Sequence, residues 1–148
     1  MVSGAPGTRM VSSSDLAVTI TIPASWTLTP YNGGEAYDGA SGWVELDAMV
    51  GGYGLQYACS VRATGNVLHP FGLHPQITYR NVGGRPGCLI LPSSDAVFEA
   101  RRNGGPSFQL AAALVPYQEP LSGGSLYLII SADPGHIAAI ADSAQLHQ

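Results

Sequence analysis

Gln76-Ile-Thr-Tyr-Arg-Asn-Val82 and Pro86-Gly-Cys-Leu-Ile-Leu91 read as two strands folded back on each other across Gly83-Gly84. A Gly-Gly pair supplies the positive φ angles that a two-residue hairpin turn requires. The two arms differ in character. The first mixes apolar and polar residues, whereas Cys88-Leu-Ile-Leu91 is apolar at every position. A run of that kind belongs to a strand covered on both faces. The sheet containing it must therefore be sandwiched between two further layers.

Working outward, Leu16-Ala-Val-Thr-Ile-Thr-Ile22 alternates, with Leu16, Val18, Ile20 and Ile22 on one side, and Pro23 stops it. Thr27 to Thr29 reads as a short strand, and Tyr31-Asn-Gly-Gly34 as a turn. From Trp43 to Val50 the alternation predicts Val44, Leu46, Ala48 and Val50 inward, with Glu45 and Asp47 in solvent. Glycines break the chain after Val50. Leu55, Ala58, Cys59 and Arg62 then recur at helical spacing, which predicts a helix over 53–64. Segments 108–115 and 126–131 are strongly apolar and read as two more central strands. Between them and the hairpin, 93–106 is a polar excursion with a short helix expected near 96–102. Asp133 as N-cap, Pro134 at N1 and the stripe Ile137, Ile140, Ala141, Ala144 predict a docked helix over 133–146.

The expected fold class is therefore α+β: a mostly antiparallel sheet of six or seven strands covered by helices, an α/β/α sandwich. Residues 1–13 are small and polar, with no charged start leading into an apolar stretch, and read as a disordered leader or a cloning boundary. Residues 14–148 form one domain.

Composition excludes several functions. The chain has 148 residues and a net charge of −4. Its six cations are Arg9, Arg62, Arg80, Arg85, Arg101 and Arg102, and lysine is absent. No dense basic face for nucleic acid is available, and no phosphate-binding loop of the lysine-containing type can be built. No apolar run reaches the roughly 18 residues of a spanning helix, so direct membrane insertion by this segment is not expected. No cofactor motif is present and no cofactor is expected. Cys59 and Cys88 leave three readings open: two buried thiols, one disulfide, or a reactive thiol.

Chemistry-bearing residues are sparse. His69 and His74 sit on one loop across two prolines, but a metal usually needs a third protein ligand, and none is evident. Ser93-Ser-Asp95 follows a buried strand. With His69 it makes a small-hydrolase reading, His69/Ser93/Asp95, although no Gly-x-Ser-x-Gly elbow is present. The competing reading is a turn and capping cluster. Aromatic and imidazole side chains gather in the first half. Tyr31, Tyr37, Trp43, His69, Phe71 and His74 define two loops, 31–42 and 69–75, suited to recognising a ligand or partner.

Some stretches resemble a known domain. They are Ile22-Pro-Ala-Ser-Trp26, His69-Pro-Phe-Gly72, Pro75, Gly84, Leu89-Ile-Leu-Pro-Ser-Ser-Asp95, Leu114-Val-Pro-Tyr117 and Ala132-Asp-Pro-Gly-His-Ile137. Together they resemble the Mog1/PsbP-like sandwich. Residues 66–146 are similar to a domain of Firmicute proteins grouped as M56 peptidase-family or TolB-like, with Phe71 where that pattern has Tyr. No His-Glu-x-x-His is present, so the resemblance implies the accessory extracytoplasmic domain and not the peptidase. It implies a non-catalytic binding or sensing domain outside the cytoplasm, anchored through a segment beyond this chain. Its partner would be a protein or a small ligand. A structural or assembly module is the alternative.

Overall fold

The structure, a computed structural model, describes residues 7–13, 15–31, 34–96, 109–118 and 122–147. Five strands come first: β1 (Thr8–Ser13), β2 (Val18–Pro23), β3 (Thr27–Tyr31), β4 (Gly34–Gly39) and β5 (Gly42–Val50). Helix α1 (Leu55–Thr64) follows, then β6 (Gln76–Val82), β7 (Arg85–Leu91), β8 (Ala111–Gln118) and β9 (Ser125–Ala132). Helix α2 (Pro134–Ser143) and β10 (Gln145–Leu146) complete the order.

Seven strands form one antiparallel sheet in the order β3-β4-β5-β9-β8-β7-β6. The apolar strands β8 and β9 lie at its centre, as two-sided apolar runs demand. The β6–β7 hairpin turns at Gly83-Gly84, with Val82 paired to Arg85 and φ of 61° and 82° at the two glycines. That pair of positive angles suits glycine and matches the strand twist. A second, three-stranded sheet has the order β1-β2-β10.

The layers follow from the alternation. Val44, Leu46, Ile130 and Ala113 face one side and pack with Trp26, Ile20, Ile22 and the α2 stripe Ile137, Ile140, Ala141 and Ala144. Trp43, Ile129, Leu114, Cys88 and Ile90 face the other and pack with Ala58, Cys59 and Ala63 of α1. The fold is thus a mixed α+β sandwich. One face of the large sheet carries α1; the other carries α2 together with the small sheet. Cys59 and Cys88 form a disulfide that ties α1 to β7, and both are fully buried. The disulfide alternative is the one observed.

Several expectations are corrected. Thr8–Ser13 is not disordered but a strand, held because Val11 and Ser13 turn inward while the backbone pairs with β2. Segment 31–42 is not an exposed loop. Gly34–Gly39 is a strand between β3 and β5, and residues 40–41 turn. Glu45 is buried at 7% exposure because β5 is an interior strand covered on both faces, while Val50, expected inward, is 69% exposed where β5 runs past that cover. The last helix stops at Ser143, and residues 145–146 pair with β2 instead. Asp133 is the N-cap residue and Pro134 follows it as expected, but the Asp133 side chain makes no capping bond. Its Oδ1 accepts the Trp43 N–H at 3.0 Å and its Oδ2 meets His136 Nδ1 at 2.7 Å. The short helix expected over 96–102 falls largely outside the described residues.

Candidate functional site

The loop between α1 and β6 is built by local hydrogen bonds. Gly65 closes the helix, its N–H donating to the Val61 carbonyl at 2.8 Å. The Asn66 side chain then accepts the Leu68 N–H at 2.8 Å, an Asx turn. His69 N–H donates to the Asn66 carbonyl at 2.9 Å, and Gly72 N–H to the His69 carbonyl at 2.8 Å. His69 and Gly72 take left-handed backbone, φ 48° and 83°.

Two anchors hold this loop to the body. Phe71 is 1% exposed in the α1-side core, the cluster that also holds Cys59 and Cys88. The second anchor is Ser93 with Asp95. The Ser93 N–H donates to the Phe71 carbonyl at 3.0 Å. The Ser93 hydroxyl accepts the His74 N–H at 3.2 Å and donates to the Asp95 carboxylate. That carboxylate accepts the Leu73 N–H at 3.3 and 3.4 Å. A side chain at 72 would collide with both Ser93 and Asp95, so glycine is required there by space as well as by φ.

The Ser93 hydroxyl, and after it the Leu73 N–H, hold the Asp95 carboxyl below its ordinary value of 3.8. A depressed carboxylate pKa contributes stability above the unfolded value, and that contribution is lost as pH falls through the folded value. Acidification below about pH 3.8 is therefore expected to release the latch. Amide NMR would show the Leu73 and His74 N–H signals moving together with the Asp95 titration. Signals that stay fixed while Asp95 protonates would refute the latch.

What the latched loop displays is apolar. Val67 is 87% exposed, Leu68 83% and Leu73 60%. Tyr57 and Val61 on α1 add exposed apolar area. Exposed large side chains scattered singly need no explanation; here three lie together on one restrained loop. Restraint matters because a surface already ordered loses little entropy on binding.

The structure disperses the sequence-based site. Tyr37 and Trp43 are buried, on opposite faces of the sheet. Burial, then the Glu35 charge, pushes the Tyr37 hydroxyl above its ordinary range, and the Arg9 guanidinium sits 5.7 Å from its ring. Phe71 is an anchor and not a contact. The Tyr31 side chain lies outside the described residues. His69 and His74 are exposed on the loop. Neither imidazole bonds the Ser93 hydroxyl, which is engaged by Asp95 and the His74 backbone, so the His69/Ser93/Asp95 arrangement is not assembled. His136, in the first turn of α2, packs edge-on against Trp26 at 4.9 Å and pairs with Asp133. Among the described residues no group of three His, Cys, Asp or Glu side chains could hold a metal, and no helix is long and apolar enough to cross a membrane.

The exposed aliphatics Val67 and Leu68 are not singled out by the sequence reading. A signal was present: two adjacent large aliphatics inside the Gly65-Asn66…Pro70 loop, where apolar residues are out of place unless they touch something. No protein-family model matches the chain, and no curated protein matches it.

Proposed function

We propose that the chain is a non-catalytic binding domain that works outside the cytoplasm and contacts a partner protein through the loop 66–74. The observation that carries this reading is the display of Val67, Leu68 and Leu73 on a loop fixed at both Phe71 and the Ser93–Asp95 latch. The disulfide supports the compartment, because such bridges form and persist in oxidising surroundings. The resemblance of 66–146 to extracytoplasmic accessory domains, and of the sandwich to the Mog1/PsbP-like fold, points the same way. The loop is then the recognition surface, and the sheet and disulfide are its scaffold.

The test is a photo-crosslinking residue at Leu68 in cells of the source organism, with the same residue at exposed Thr78 as control. One dominant adduct from position 68, absent from 78, is expected. Adding Leu68→Asp to a chain cross-linked from position 67 is expected to remove at least about nine-tenths of it, as loss of a contact anchor of about 2 kcal/mol implies. No adduct, or equal adducts at both positions, overturns the reading. A self-adduct replaces it with an assembly module that uses the same surface.

A further inference from the structure

The large sheet ends in two edge strands that differ in kind. Strand β3 spans five residues and includes Pro30, which has no N–H to offer. Short strands and proline both blunt an edge. Strand β6 spans seven residues and has neither proline nor lysine. Its register with β7 runs unbroken from Gln76↔Leu91 to Val82↔Arg85, so no bulge twists it away. Residues flanking a two-residue turn bond each other, so Val82 bonds Arg85, and by alternation Arg80, Thr78 and Gln76 also bond inward to β7. The N–H and C=O groups of Ile77, Tyr79 and Asn81 therefore point away from the sheet. Among the described residues no backbone group pairs with them. The side chains of Gln76, Thr78, Tyr79 and Asn81 are exposed along this edge. The strand's cation, Arg80, is engaged by Asp142 of α2.

This strand is its own complement. Set antiparallel to a second β6 about a two-fold axis at Tyr79, it overlaps over its whole length. Tyr79 then lies opposite the second copy's Tyr79, Ile77 opposite Asn81, Arg80 opposite Thr78 and Gln76 opposite Val82. Each outward-pointing residue meets another, the condition for the paired ladder bonds of an antiparallel sheet. No like charges stand opposite each other, since Arg80 faces Thr78 and is already paired with Asp142. Ile77 packs in the α1-side core and Val82 in the other, so Tyr79 lies on the α1 face. It is 50% exposed, and the pairing sets two such rings side by side. The helices leave room for them. The Cys59–Cys88 bridge holds α1 over β7, and three strand spacings, about 14 Å, separate β7 from its counterpart. Helices pack at about 8–10 Å, so two copies of α1 flank the tyrosine pair without colliding. Any strand could bond this backbone, but a second copy also matches it in length and places an aromatic ring against Tyr79. Seven edge residues a side fall well short of the roughly 20–30 of a standard interface, so the association is weak and reversible. We propose that the chain forms a reversible two-fold dimer through β6, joining two seven-stranded sheets into one.

This edge is distinct from the loop 66–74, and the dimer does not depend on the loop surface. The test is sedimentation equilibrium of the intact chain beside two charge variants, Tyr79→Arg and Tyr79→Glu. The parent is expected to dimerise with a Kd on the order of 0.1 mM. Either variant alone sets like charges face to face across the axis. Each is expected to self-associate at least about tenfold more weakly, with its unfolding midpoint in dilute solution unchanged. Mixed together, the two variants are expected to bind each other at least about fivefold more tightly than either binds itself, because opposite charges then meet. Asn81→Pro removes an outward N–H while leaving the β6–β7 bonds in place, and it too is expected to weaken the dimer at least about tenfold. The Leu68 adduct is expected to be the same in Asn81→Pro, so the dimer and the loop reading fail separately. A parent that stays monomeric up to about 1 mM overturns the proposal. So does a dimer that survives in either charge variant or in Asn81→Pro, or variants that do not pair on mixing.

Discussion

The double variant Cys59→Ala, Cys88→Ala is expected to lose about 3–4 kcal/mol of unfolding free energy. The bridge joins residues 29 apart in sequence. Opening a loop of that length returns that much entropy to the unfolded chain on the loop-closure model. For a domain of this size the melting midpoint should fall by roughly 10 °C. Both cysteines are fully buried, in the core cluster that also holds Phe71, Ile90 and Leu114. Reductant should therefore act only on molecules that have already opened, and midpoints with and without it should differ under denaturing conditions. Urea titration of the parent and the double variant measures the difference. A variant within about 1 kcal/mol of the parent would show that the bridge contributes little, and would remove the main support for an oxidising compartment.

The second large effect is expected at Phe71→Ala, about 3–5 kcal/mol, the usual cost of emptying a buried aromatic site. Phe71 does more than fill space, because its own carbonyl receives the Ser93 N–H. Removing the ring leaves the backbone bond but takes away the packing that holds the loop down. The Leu73 and His74 amides should then exchange with solvent faster than the rest of the domain, beyond the global loss. Hydrogen exchange of Phe71→Ala, read beside Ile140→Ala, separates the two effects. Ile140 is buried on the other face of the sheet, so its loss should lower global stability without singling out the loop. Equal acceleration in both variants would refute the anchoring role.

Much of this fold is readable in the sequence, for a definite reason. The β6–β7 hairpin is carried by Gly83-Gly84 and a two-sided apolar arm, signals that need no tertiary context. The α2 stripe is equally local. Strand β4 is not: Gly34-Glu-Ala-Tyr-Asp-Gly39 has a glycine at each end and a single strong strand former. Pairing with β3 on one side and β5 on the other makes it a strand, and no propensity records that. Glu45 shows the same limit. Alternation tells which face a residue occupies, but not whether that face is covered. The candidate site failed in the opposite direction. Phe71 and Trp43 look like loop aromatics and are core, since an aromatic in a loop can fasten the loop as readily as it can meet a partner. Ser93 and Asp95 read in sequence either as a hydrolase pair or as a turn cluster, and the backbone of 73–74 that they bond lies some twenty residues away and has no sequence signature.

The small sheet has one further consequence. Strand β2 is flanked by β1 on one side and by β10 on the other, so residue 18 pairs with residue 146. As the chain emerges from a ribosome or a translocation pore, β1 and β2 can zip early, but one edge of β2 waits for nearly the whole sequence. A closure of such long range is slow, and an unpaired edge is open to wrong neighbours in the meantime. Vectorial synthesis thus leaves one edge of β2 without its β10 neighbour until residues 145–146 have been made.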